Sequence, residues 1–376
     1  MGQVLAVLRN LLGNGTPTMQ ISTVDSEILN RRRLSSTGQT TLKSYSWSNR
    51  LNTINPDDYK HIGLESRTIV HQPGSIKGHQ FIIERCRNCN IFLFDWTDSI
   101  TILDCTGCAI FVGPCKGSTF VRNCDDCTIL VLCQQFRTRD CRRISVHLCC
   151  STKPIIENTV AAKFACLQVS YGELEGQMAQ AGLSPFNNNW TNVHDFTPNN
   201  GEGGTSHNFS LITDELATAK VGLNDPEVIG ETDLLASFDP SISLVPFTTG
   251  NGPASDPGED CLVIVFATEK AKSSQLARSF VSAVRAGQPA MILLSTMEIT
   301  MLPHDLRRIL HMSSGINSPS GSSQVALHYH GVLAGKVLGT LSSKEEYRSA
   351  VYVSPTVHQA HTEIEACWNL AEMKMN

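Results

Sequence analysis

Between about residue 45 and Cys166 the chain is a succession of short apolar segments divided by polar corners, and the segments recur. The stretches "ERCRNCNIFLF", "LDCTGCAIFVG" and "RNCDDCTILVL" align on Cys86, Cys105 and Cys124, nineteen residues apart. Five residues past the first cysteine stand Ile91, Ile110 and Ile129; seven past stand Leu93, Val112 and Val131; three before stand Ile83, Ile102 and Val121. Self-similarity at a fixed short period is the signature of a solenoid. The spacing carries no helical period, so the predicted form is a β-helix, mainly β over residues 45–247. Nineteen residues at about 3.3 Å each make a coil of roughly 60 Å perimeter, with equivalent residues about 4.8 Å apart between coils.

The cysteines fit this frame. Each C-x-x-C pair (Cys86 and Cys89, Cys105 and Cys108, Cys124 and Cys127) would send two thiols inward on either side of a polar corner. Paired C-x-x-C motifs also make closed zinc sites. The fourth coil, "RDCRRISVHLCC", separates the two readings. It keeps Cys141 but has Ile144 where the second cysteine should be, and isoleucine cannot bind metal. Free cysteine is a small, readily buried residue. We therefore expect packing thiols, no resident metal and no cofactor.

Past Cys166 the pattern loosens through "FNNNWTNVHDFTP" and changes again after "TGNGPASDPGED", which reads as a linker over 248–258. From residue 259 to 376 strand and helix signals alternate. "DCLVIVFA", "PAMILLSTMEI" and "SQVALHYHGVLAG" read as strands, "SSQLARSFVSAVRAG" as a helix ending at Gly287, and "PHDLRRILHM" as a helix with Pro303 near its start. This alternation predicts a small α/β domain. Residues 1–44, rich in Ser, Thr and charge, are expected to lack order.

Bulk composition narrows the function. A formal net charge of −5 over 376 residues gives no reason to expect a nucleic-acid partner. The longest apolar runs are far too short to span a bilayer. Fourteen cysteines without a recognisable export signal suggest reduced thiols in a cytoplasmic setting.

One basic stretch stands apart. In "CQQFRTRDCRR" the repeat is two residues short. Counted back from Cys141, Phe136 falls in the inward place of Phe81 and Ile100, and Arg137 in the outward place of Ile82, Thr101 and Phe120. Alternation puts Arg139 on the same side as Arg137. Spacing alone admits either a solvated basic patch or a guanidinium presented on a stiff sheet, suited to phosphate.

The segments "GHQFIIERCRNCNIFLFD", "GPCKGSTFVRNCDDC", "CQQFRTRDCR", "HLCCSTKPIIEN" and "FNNNWTNVHDFTP" together resemble the retinitis pigmentosa branch of the tubulin-folding cofactor C family. That resemblance implies a right-handed parallel β-helix followed by a ferredoxin-like domain of nucleoside-diphosphate-kinase type. It implies a GTPase-activating protein for an ADP-ribosylation-factor-like small GTPase in its GTP form, acting in trans through an arginine finger. In this chain the finger falls on Arg137, with Gln134 beside it. Glu157, Phe196 and Arg139 become partner-binding residues. A non-catalytic effector of the same GTPase and a tubulin-folding cofactor, with tubulin as partner, are the alternatives. The frame N-x-x-H-G-[SA]-D of an active kinase is not met by His358 and His361 in "TVHQAHTEIE", which reads as an exposed helix or loop; no kinase activity is expected. Gly2 stands where N-myristoylation requires a glycine, but Ala6 replaces the usual Ser or Thr and Gln3 the branch's second acylated cysteine. One acyl chain, helped weakly by Arg31–Arg33, would give only marginal membrane association, at the plasma membrane or the ciliary base.

Overall fold

The nineteen-residue period closes into stacked parallel coils. The computed structural model describes residues 55–197, 208–221, 236–250, 258–311 and 321–375. Residues 1–44, with Gly2 and Arg31–Arg33, lie outside the described residues, as do 251–257 of the expected linker. Residues 55–376 form one unit.

Each coil contributes two strands. The first coils supply β1 (Lys60–Ile62), β2 (Thr68–His71), β3 (Phe81–Glu84), β4 (Asn90–Leu93) and β5 (Ile100–Leu103). Then β6 (Ala109–Arg122) and β7 (Thr128–Arg139) run unbroken round a corner and serve both sides. After them come β8 (Ser145–Cys150), β9 (Ile155–Glu157), β10 (Ala162–Cys166), β11 (His194–Asp195) and β12 (Phe209–Ile212). One side stacks β2, β4, the first half of β6, the first half of β7, β8, β10 and β12. The other stacks β1, β3, β5, the second halves of β6 and β7, β9 and β11. Every pairing is parallel. A narrow third side is a column of single bridges, Glu65–Arg87–Thr106–Asp125–Arg142–Val160, which runs between the paired cysteines.

The corners flanking this column are cut by left-handed residues. Arg85, Asp104, Asn123 and Asp140 precede the first cysteine of each coil with φ between 50° and 55°. Asn88 and Asp126 are left-handed too inside the C-x-x-C, as is Arg143 at 49° in the fourth coil before Ile144, and the second coil has Gly107 there. Short polar side chains tolerate this region best. They also pair along the stack: Asn123 Nδ2 donates to Asp104 Oδ1 at 2.9 Å, and Arg143 binds Asp126 through Nε at 2.6 Å and Nη2 at 2.8 Å.

Inside the coils the thiols pack as expected. All fourteen cysteines are buried and unbridged. Along the ladder each thiol has a backbone acceptor two residues back: Cys105 donates to Leu103 O at 3.3 Å, Cys124 to Arg122 O at 3.2 Å and Cys127 to Asp125 O at 3.3 Å. Ile144, 1% exposed, occupies the place of Cys127 one coil on. Burial pushes the pKa values of the Cys115 and Cys149 thiols upward, keeping them protonated.

The second half of the unit is an antiparallel sheet between helices. Helix α1 (Leu174–Ala181) packs on the coils; Gln177 Nε2 donates to Phe94 O at 3.0 Å. Then follow β13 (Glu259–Val265), α2 (Ser273–Gly287), β14 (Ile292–Ile299), α3 (Pro303–Ile309), β15 (Gln324–Gly331), α4 (Ala334–Ser342), β16 (Val351–Val353) and α5 (Val357–Met375). The strand order β14-β15-β13-β16, all antiparallel, with a βαββαβ path, is the ferredoxin-like arrangement; α3 is an added helix. Alternation along β13 divides the core. Cys261, Val263 and Val265 meet Phe280 and Val284 of α2 and Leu338 of α4. Leu262, Ile264 and Phe266 meet Ile309 of α3 and Cys367, Leu370 and Ala371 of α5. The segment beginning "TVHQAHTEIE" therefore opens a nineteen-residue helix that shares a sheet face with α3, more than its polar start suggested.

The pentapeptide "FNNNW" ties the two halves together. Phe186 is fully buried in the core formed by α2 and the sheet, and its carbonyl accepts from Thr296 Oγ1 of β14 at 2.7 Å. Asn187 Oδ1 accepts from Glu298 N at 2.7 Å. Asn188 faces the other way, accepting from Cys150 N at 3.1 Å and donating to Leu148 O at 3.3 Å. Trp190 is fully buried and donates from Nε1 to Thr248 Oγ1 at 3.0 Å.

Candidate functional site

The short coil shapes the site. From Val112 to Val131 the register offset is nineteen residues; Cys115 faces Cys133 at eighteen, and Ser118 faces Gln135 at seventeen. Two residues are lost at one corner, and past it the offset holds, so Arg137 lies beside Phe120 and Arg139 beside Arg122. Phe136 points inward and is fully buried; Arg137 is exposed.

Two rows of outward residues cross this face. One reads Ile82, Thr101, Phe120, Arg137, Ile155, His194. The next reads Glu84, Leu103, Arg122, Arg139, Glu157, and Phe196 continues it, donating its backbone N–H to Ile156 O at 2.8 Å. Arg139, Glu157 and Phe196, far apart in sequence, thus stand in line across neighbouring strands about 4.8 Å apart. Phe196 is 58% exposed and packs at a tilt against His194, ring centroids 4.3 Å apart and planes 55° to each other.

Charge pairing sets Arg137 apart from Arg122, Arg139 and Arg143. Arg122 and Arg139 approach Asp140 at 3.8 and 3.5 Å, Arg139 also Glu157 at 3.9 Å, and Arg143 holds Asp126. Among the described residues no carboxylate pairs with Arg137. Its Nη2 instead reaches the neutral amide oxygen of Gln135 at 3.5 Å, and Ser118 Oγ donates to the same oxygen at 3.1 Å. Its charge is held in place but not neutralised.

Gln134 has a different station. It is exposed at the corner, and its carbonyl accepts from Thr152 N and Thr152 Oγ1, each at 3.0 Å, and from the Cys150 thiol at 3.5 Å. Its backbone is pinned, while the side chain that touches Arg137 belongs to Gln135. Strand alternation, which sets residues 135 and 137 on one side, was the signal for this.

Arg137 lines a half-open cleft of about 360 Å³. Gln135, Arg137, Thr152, Lys153, Ile155, Asn189 and Asn192 form one wall; Met297 of β14 and Trp368 and Glu372 of α5 form the other. Lys153 Nζ lies 2.8 Å from Glu372 Oε1 across it. A cleft with a free guanidinium, a second cation, amides and an indole can receive a phosphate-bearing surface.

The tubulin binding cofactor C family profile matches residues 78–196, which span the coils and both rows of this face. Protein XRP2 of Xenopus laevis is 41% identical over 337 residues, 89% of this chain and 92% of that protein. Protein XRP2 of Homo sapiens is 38% identical over 339 residues, 89% of this chain and 93% of that protein. Tubulin-specific chaperone C of Homo sapiens is 26% identical over 133 residues, 35% of this chain and 38% of that protein. The chain belongs to the XRP2 family and carries a cofactor C domain.

Proposed function

We propose that this member of the XRP2 family is a GTPase-activating protein for an ADP-ribosylation-factor-like small GTPase in its GTP form, with Arg137 as the arginine finger. One observation carries the reading: Arg137 is the guanidinium of this basic stretch that faces out of the coil into a cleft with no carboxylate partner among the described residues. In GTP hydrolysis the transition state spreads charge over the γ-phosphate oxygens, and an arginine supplied in trans stabilises it by about 10³–10⁵ in rate. At about 1.36 kcal/mol per decade this is roughly 4–7 kcal/mol. The water and its positioning group belong to the GTPase, so the protein acts as an activator and needs no nucleotide pocket of its own. A stacked β-helix suits the role, because docking a rigid face costs little ordering entropy.

In the partner face, Glu157 pairs loosely with Arg139 and remains available to a basic residue of the GTPase. Phe196 offers an exposed ring in the same row. Gln134 meets the GTPase at the corner. A tubulin-folding role is the second reading, favoured by the match to a tubulin-specific chaperone. The finger explains the outward arginine under either partner.

Single-turnover GTP hydrolysis decides between them. Purified chain should accelerate a GTP-loaded ADP-ribosylation-factor-like GTPase and leave tubulin's rate unchanged. Arg137→Ala should bind the GTPase as the parent does and lose at least about 10³ of the acceleration. A variant as fast as the parent ends the finger assignment.

A further inference from the structure

The resemblance to cofactor C stops at residue 196, yet one wall of the arginine cleft is built by residues well beyond it. Trp368 and Glu372 stand one helical turn apart on α5, and so share a side of it. They look across at Lys153 and Arg137 of the coils. The ferredoxin-like domain is not tethered loosely beside the finger. Phe186 sits in its core, Asn187 caps the backbone of β14, and Gly250 N donates to Leu294 O at 2.8 Å. By contrast the Lys153–Glu372 pair, 58% and 54% exposed, is screened by solvent and holds little. Buried contacts fix the wall, and the ion pair closes over a cleft already in place.

We infer that α5 is the second half of the docking surface: a GTP-loaded small GTPase inserts between the coil face and α5, contacting Trp368 and opening the Lys153–Glu372 pair. This rests on the reading of Arg137 as facing the partner's nucleotide. Three features commit the surface to that occupant. The wall is continuous with the finger's cleft. Trp368 is a half-buried indole of the kind that concentrates binding energy at interfaces. Lys153, once released from Glu372, adds a cation on the side where the phosphates arrive. The ferredoxin-like domain thereby sets affinity and partner choice, while the coils supply the catalytic charge.

The test uses the full chain and an ADP-ribosylation-factor-like GTPase loaded with a non-hydrolysable GTP analogue. Trp368→Ala should raise Kd about tenfold or more, and with GTP at saturating protein its hydrolysis rate should stay within about twofold of the parent's. Because that variant removes a partly packed ring, a second measurement does not depend on it. A photo-cross-linking residue in place of the exposed Glu372 should join the GTPase, and the same residue in place of Lys336, exposed on α4 across the sheet, should not. A complex that forms with no cross-link from position 372, or a folded Trp368→Ala with the parent's Kd, overturns the inference. A parent that binds without accelerating hydrolysis ends the finger reading alone. One that accelerates while both α5 probes stay silent ends this one alone.

Discussion

Arg137 and its two glutamine neighbours show how much a residue count can do. A period of nineteen, shortened by two, was enough to put Phe136 in the core and Arg137 outside, because strand alternation turns a count into a direction. The same alternation sets Gln135, not Gln134, on the side of Arg137. The family resemblance pointed to Gln134, whereas the amide that touches the guanidinium is Gln135, itself held by Ser118. Gln135→Leu removes that acceptor and leaves the charge. We expect it to lower the acceleration of GTP hydrolysis about tenfold with Kd unchanged; Gln135→Glu should keep the acceptor and the position but neutralise the finger, costing more. A buried histidine supplies a separate test. His147 is 2% exposed, with Nδ1 3.0 Å from Thr218 Oγ1, and burial lowers its pKa from 6.5 to about 4. The depressed group is neutral in the fold and takes up a proton more readily when unfolded. Its stability contribution is therefore complete above pH 6.5 and is lost as pH falls towards 4, by about 3 kcal/mol in total. Urea melts between pH 7 and 4 should show this loss, and His147→Gln should reduce it, leaving the part that His61, also lowered to about 4 by burial, contributes.

At the scale of elements, the coils were legible because their side chains obey one short period, and a periodic core leaves its mark at every turn. Ile144 is the instructive case: an aliphatic in a cysteine's place, buried as the cysteines are, marks the column as packing. The corners follow from the same period. Asn123 holds φ at 50° and bonds Asp104 one coil back. Asn123→Val should cost about 1–3 kcal/mol, since a β-branched residue is strained there and the bond is gone. Asn123→Gly should cost less, because glycine accepts the conformation. Equal losses in equilibrium denaturation would show that the hydrogen bond, not the backbone angle, sets the corner. Helix α5 was the least legible element. Its opening turns are polar, and its buried Cys367, Leu370 and Ala371 come late, so the start of the pattern left an exposed helix and a loop both open.

The whole molecule depends on contacts that no period announces. "FNNNW" reads in sequence as a polar loop with two large anchors, but those anchors serve different cores. Phe186 enters the ferredoxin-like domain while Trp190 and Asn188 hold the coils. Nothing in the spacing of residues 137 and 368 hints that they face one cleft; that follows from how Phe186, Asn187 and Gly250 join the two halves. Phe186→Ala should therefore act at two levels. Removing a fully buried ring costs about 3–5 kcal/mol, and because the ring is supplied by one half to the other, the loss falls on their union. Calorimetry should show a single transition for the parent and two for the variant, the ferredoxin-like domain melting first. Arg137 and its coil would remain intact, so weak residual acceleration should persist at high protein concentration while affinity falls. If the variant melts in one step at a uniformly lower temperature, the halves are joined by more than this clasp, and Asn187, which binds β14 through Glu298 N, becomes the next residue to change.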